Sequence, residues 1–102
     1  MMSAVVVLTT TGAGFDARAL ARELVDLGVA SCVNVLPPVT SIYRWEGKVV
    51  EEAEQLLLIK TTPDRVEALR EALFARHPYE VPELVVIEAA ASDAYGQWLR
   101  TG

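Results

Sequence analysis

The segment Ser41–Val50 reads Ser-Ile-Tyr-Arg-Trp-Glu-Gly-Lys-Val-Val, and it admits few folds. β-Branched and aromatic residues on both sides favour strand. The Glu46-Gly47 pair between them is a two-residue hairpin turn, weaker than Asn-Gly. Strand side chains alternate, so Ser41, Tyr43 and Trp45 share one face and Ile42, Arg44 and Glu46 take the other. The partner strand, Val49 to Ile59, has a polar middle in Glu51, Glu52 and Glu54, which reads as a solvated edge that discourages aggregation. The distal end of this hairpin therefore projects beyond the core of its own chain. Exposed aromatic patches mark contacts. Tyr43 and Trp45 on a projecting arm need a cover, and a second copy of the same chain is the simplest one.

The flanking sequence supplies the rest of an α+β unit. Val5–Leu8 is a continuous apolar run, as in a strand buried on both faces. Thr9–Gly14 reads as a loop. Asp16 is placed to cap a helix, with Phe15 and Leu20 at staple spacing. Ala17, Leu20, Ala21, Leu24 and Leu27 form its apolar stripe, and Gly28 fits the left-handed position after its end. From Val29 to Thr62 the pattern is β. Pro37-Pro38 removes two ladder donors and predicts an edge or a bulge. Leu56–Ile59 reads as buried on both faces. Thr62-Pro63 starts a second helix with Thr as N-cap and Pro at its first position, and Val66, Leu69 and Leu73 mark its buried stripe. It ends near His77, because Pro78 disfavours helix at the preceding residue. Tyr79–Pro82 reads as extended and Leu84–Ile87 as another buried strand. Ser92 caps a last helix carrying Tyr95, Trp98 and Leu99. The order β-α-β-β-α-β plus a C-terminal helix predicts a ferredoxin-like sandwich with an extended hairpin, as one domain over residues 1–102.

Composition narrows the function. The chain has 102 residues, 52% of them hydrophobic, which is more apolar material than one small core consumes. A net charge of −5 argues against nucleic acid and against an anionic membrane surface. No apolar run approaches the ~20 residues of a membrane span, and the N-terminus lacks the basic region of a signal peptide. The expected location is cytoplasmic. Cys32 is the one cysteine and His77 the one histidine. An intrachain disulfide is impossible, and a Cys/His zinc site cannot be built within one chain.

Three residues could carry chemistry. His77 is either a metal ligand or proton carrier, or a helix-end residue meeting the last carbonyls and the dipole. Cys32 is either a small buried hydrophobe or a nucleophile, which would need a base or a positive neighbour. Lys60 is in phase with Leu56 and Leu58. It either snorkels at the sheet edge, pairs with a carboxylate such as Glu54 or Glu83, or binds an anionic ligand.

Four motifs carry a resemblance. They are Ala30-Ser31-Cys32-Val33-Asn34, Ser41 to Gly47, Leu58-Ile59-Lys60-Thr61-Thr62, and His77-Pro78-Tyr79-Glu80-Val81-Pro82-Glu83. In this order and spacing they resemble the CutA family of divalent-cation tolerance proteins over nearly the whole chain. The resemblance implies a ferredoxin-like subunit in a tight homotrimer, similar in build to PII-type signalling proteins. It implies a hairpin crossing subunit boundaries, with Tyr43 and Trp45 at the trimer interface. It also implies a role in copper or other divalent-metal tolerance, without enzymatic activity. The copper ligands proposed in the family are a cysteine and two consecutive histidines. Here Thr9 and Arg76 stand at two of those positions and His77 alone remains, as the candidate ligand for copper or zinc. An intersubunit cleft for a small ligand would be lined by Cys32, Asn34, Lys60, Tyr79 and Glu83, with Tyr43, Trp45 and His77 beside them. Two alternatives stand beside the binding or signalling protein. One is an enzyme with an intersubunit site using His77 with Lys60 or Glu83. The other is a purely structural trimeric scaffold.

Overall fold

The structure, a computed structural model, describes residues 1–101. In chain order the elements are β1 (Met2–Gly12), α1 (Ala17–Asp26), β2 (Cys32–Val35), β3 (Val39–Trp45), β4 (Lys48–Thr61), a 3₁₀ turn (Pro63–Arg65), α2 (Val66–Arg76), β5 (Val85–Ala91) and α3 (Asp93–Thr101). All strand pairs are antiparallel. β4 lies between β1 on one side and β2 then β3 on the other, and β5 pairs with the far side of β1. Counting β2 and β3 as one interrupted strand gives the expected ferredoxin-like order.

Pro37-Pro38 interrupts that strand with a bulge. Val35 lies opposite Leu57 and Val39 opposite Glu54, so four steps along β2–β3 face three along β4. One extra residue reverses which face later side chains take. β4 is fourteen residues long, and at ~3.3 Å per residue it accounts for the 45 Å long axis. Its pairing with β1 stops where Gly12 meets Glu54, and from Ala53 to Lys48 it pairs with β3 alone. That paired extension is the projecting arm. Its Glu46-Gly47 turn has φ of 50° and 79°, the left-handed geometry that a two-residue hairpin turn uses.

The core forms on one face of the sheet only. Val5, Val7, Leu57 and Ile59 point toward α1 and α2 and pack with Leu20, Leu24, Leu69 and Leu73. On the alternate face Val6, Leu8, Leu56 and Leu58 are half-buried. The expectation that these strands are covered on both faces is corrected for this protomer, because both helices of the sandwich lie on the same side. β5 departs furthest. Val85, Val86 and Ile87 are exposed, since β5 is an edge strand beyond the reach of α2.

Smaller differences have local causes. Thr9–Gly12 continues β1 instead of forming a loop, because β4 runs on to supply partners as far as Glu54. Gln55 Nε2 then holds the turn into α1, donating to the carbonyls of Gly12 at 2.9 Å and Phe15 at 2.8 Å. Asp16 caps α1 by accepting from the Ala19 amide at 3.0 Å, and Gly28 follows with φ of 76°. Thr62 precedes the 3₁₀ turn but makes no side-chain capping bond. Ser92 caps α3 through the Tyr95 amide. Arg65 closes the other end of α3. Its Nη1 donates to the Leu99 carbonyl at 3.1 Å and to Ser31 Oγ at 2.9 Å, and its Nη2 to the Arg100 carbonyl at 2.8 Å. A cation and donor at a helix C-terminus satisfies carbonyls that lack intrahelical partners.

Candidate functional site

The open face of the sheet gathers most of the candidate residues, and β4 arranges them. Residues opposite one another in a ladder share a face. Cys32 lies opposite Lys60 and Asn34 opposite Leu58, so Cys32, Asn34, Leu56, Leu58 and Lys60 share one stripe. After the bulge, Tyr43 lies opposite Val50 and Trp45 opposite Lys48, which puts both aromatics on the same face further out along the arm. Tyr43 is half-buried and Trp45 is 58% exposed. β5 adds Val85 and Ile87 to this face, opposite Leu8 and Val6.

At the base of the arm the chain after α2 meets β4. α2 ends at Arg76, and His77 has ψ of 137°, extended as expected before a proline. His77 is buried, with Nε2 2.8 Å from the Thr10 carbonyl oxygen and Nδ1 accepting from the Tyr79 amide at 3.1 Å. A carbonyl only accepts, so Nε2 carries the hydrogen in this arrangement. The Tyr79 amide bond curls residues 78–81 into a bend, correcting the expected extended run. The Tyr79 ring packs edge-on against His77 at 4.9 Å. Its hydroxyl donates to Glu54 Oε2 at 2.6 Å. Burial, then this hydrogen bond to Glu54, pushes the Tyr79 phenol well above its ordinary value.

Glu54 has a role at the arm base that sequence reasoning missed, although its phase made it a candidate partner for Lys60. It was grouped with Glu51 and Glu52 as a solvated edge, yet only 7% of it is exposed. Its phase was the available signal, because it falls on the face of Leu56 and Leu58. Lys60 does not pair with it. Lys60 lies six residues along β4, ~20 Å away at strand rise, and forms no ion pair among the described residues. Glu83 is half-buried and forms none either.

The candidate residues thus fall into two groups within one protomer. Cys32, Asn34 and Lys60 lie near the α3 end of the sheet. His77, Tyr79 and Glu54 lie at the arm base, where Thr10 is opposite Leu56. Leu56 is four residues from Lys60, or ~13 Å along the strand. One subunit therefore assembles neither a Cys32–His77 pair nor a His77–Lys60 pair.

A divalent metal fits the three family positions poorly. Thr9 pairs with Leu57 on the helix-covered face and is fully buried. Arg76 is held by Glu23 Oε2 at 2.6 Å and by the Ala72 carbonyl at 3.0 Å. Both His77 nitrogens are engaged. No group of three or more His, Cys, Asp or Glu side chains is placed to hold a metal among the described residues.

The model of the CutA1 divalent ion tolerance protein family matches residues 5–102. The chain belongs to that family. The divalent-cation tolerance protein CutA of Thermus thermophilus is 48% identical over 96 residues, covering 93% of each chain. The chloroplastic CutA of Arabidopsis thaliana is 42% identical over 84 residues, which are 81% of this chain and 46% of that longer one. Among solved structures, the PII-like protein CutA from Nostoc sp. PCC 7120 in apo form superposes with a TM-score of 0.87 at 37% identity, covering 95% of this chain and 94% of that one. Membership in the CutA1 family places this chain among divalent-cation tolerance proteins with a PII-like fold. No helix among the described residues is long and apolar enough to cross a membrane.

Proposed function

We propose that this CutA1-family chain acts as a cytoplasmic, non-enzymatic homotrimer in divalent-cation tolerance, taking up a small ligand or ion between subunits. One observation carries the reading. The sheet presents an apolar face that is only partly covered in the single chain, and Cys32, Asn34 and Lys60 form a polar group within it. Val85 and Ile87 are 45% and 44% exposed on that face. Apolar area of this extent is stabilised by burial against another surface. Packing three copies through this face would cover the apolar rows and leave the polar group lining clefts between subunits. Clefts with apolar walls and a few polar groups are typical ligand sites. Lys60, with no carboxylate partner among the described residues, supplies a cation for an anionic group of the ligand.

Light scattering on the eluting protein tests the assembly, and three chain masses are expected. Native mass spectrometry of that particle, for the wild type and Lys60→Met, tests the cleft. A bound small molecule retained by the wild type and lost in the variant supports it. A monomer at micromolar concentration overturns the reading.

A further inference from the structure

We propose that His77 in this chain is a brace for the Pro78–Pro82 crossover and not a ligand for a divalent metal. An imidazole binds metal through a ring-nitrogen lone pair. Here Nε2 presents its hydrogen to the Thr10 carbonyl, and the Nδ1 lone pair takes the Tyr79 amide. Ligation at either nitrogen breaks one of these bonds inside a buried corner and leaves a buried backbone group without a partner, which carries a free-energy cost.

The neighbouring positions do not offset that cost. Arg76 places a guanidinium directly beside His77 in sequence and is itself tied to Glu23. A guanidinium has no lone pair to give a cation, so this position offers no ligand. Thr9 points to the helix-covered face, away from the face where Tyr79 meets Glu54. The three positions therefore neither converge nor offer soft donors.

What His77 does is hold shape. It ties the end of α2 to β1 through Thr10, and through the Tyr79 amide it sets the bend that delivers the Tyr79 hydroxyl to Glu54. Glu54 is the last β4 residue paired with β1 and the first paired with β3. The brace thus connects the helix layer to the root of the arm. This inference does not depend on the trimer.

Nuclear magnetic resonance of the imidazole nitrogens in ¹⁵N-labelled intact protein tests it. The expected spectrum is the Nε2–H tautomer, unmoved by one equivalent of Zn²⁺ per chain. Two variants divide the bonds. His77→Gln keeps a donor for Thr10, and His77→Asn keeps an acceptor for the Tyr79 amide. Hydrogen exchange at the Tyr79 amide should accelerate at least about tenfold in His77→Gln, the loss of roughly one hydrogen bond. It should stay within threefold of the wild type in His77→Asn. Calorimetric affinities for Zn²⁺ and Cu²⁺ should agree within twofold across all three proteins, and absence of binding in the wild type supports the same conclusion. Ring-nitrogen resonances that move and saturate with stoichiometric Zn²⁺ overturn the proposal. So does a tenfold loss of metal affinity in both variants.

Discussion

Tyr79 donates its hydroxyl to Glu54 at 2.6 Å, at the residue where β4 leaves β1 and becomes the arm. The bond joins the crossover after α2 to a strand 25 residues away in sequence. Glu54 is nearly buried, so this one donor stabilises a carboxylate largely withdrawn from water.

Removing the donor should therefore be felt. Tyr79→Phe keeps the ring against His77 and deletes only the hydroxyl. A hydrogen bond to a charged group contributes about 1.5–3 kcal/mol, and a loss of that size is expected in urea unfolding. An unchanged midpoint would show that the arm root is held by pairing alone.

The same bond predicts alkaline behaviour. The Tyr79 phenol is held above its ordinary 10.0, first by burial and then by Glu54. The folded state then keeps a proton that the unfolded chain releases. Stability from this group is complete below about pH 10 and is lost as pH rises toward the folded value. The unfolding midpoint should fall above pH 10, and by less in Tyr79→Phe than in the wild type. Parallel pH profiles would assign the alkaline loss to other groups.

Trp45 separates folding from assembly. It is 58% exposed in the protomer, so Trp45→Ala should leave circular dichroism of the chain intact. If Trp45 is covered by a neighbouring subunit, truncating it costs about 3–5 kcal/mol, or at least about a hundredfold in the concentration at which the trimer dissociates. Light scattering over a dilution series measures this, and equal dissociation in both proteins would remove Trp45 from the interface.

Gly96 is the close approach of α3 to β1. A Cβ there would lie 2.7 Å from Met2 Cβ, a contact that forces a shift. Gly96→Ala should destabilise by about 1–3 kcal/mol through overpacking. Faster hydrogen exchange confined to α3 and the start of β1 would locate the effect.

Glu46 occupies a left-handed conformation at φ 50°, which costs an ordinary L-residue about 1–2 kcal/mol. Glu46→Asn should relieve part of that strain and raise the melting temperature, with secondary structure unchanged. A lower melting temperature would show that Glu46 makes a compensating contact.

Much of this was legible in the chain. Alternation in Ser41–Val50 identified the arm, Pro37-Pro38 the interruption, and Asp16, Gly28 and Ser92 the helix ends, because each acts through local backbone chemistry. The four motifs identified the family. The candidate site was less legible. Glu54 looked like its acidic neighbours, and the His77 corner depends on Thr10, 67 residues earlier.

Local pattern thus determined which segments are strands and helices, since periodicity, caps and proline geometry operate within a few residues. The tertiary structure decided which face each strand presents. The single extra residue at Pro37-Pro38 puts Tyr43 and Trp45 on the open face with Lys60 and Cys32 instead of the helix-covered one. Side chains alternate with a period of two, so one residue of register reverses the face. Only pairing with β4 specifies that register.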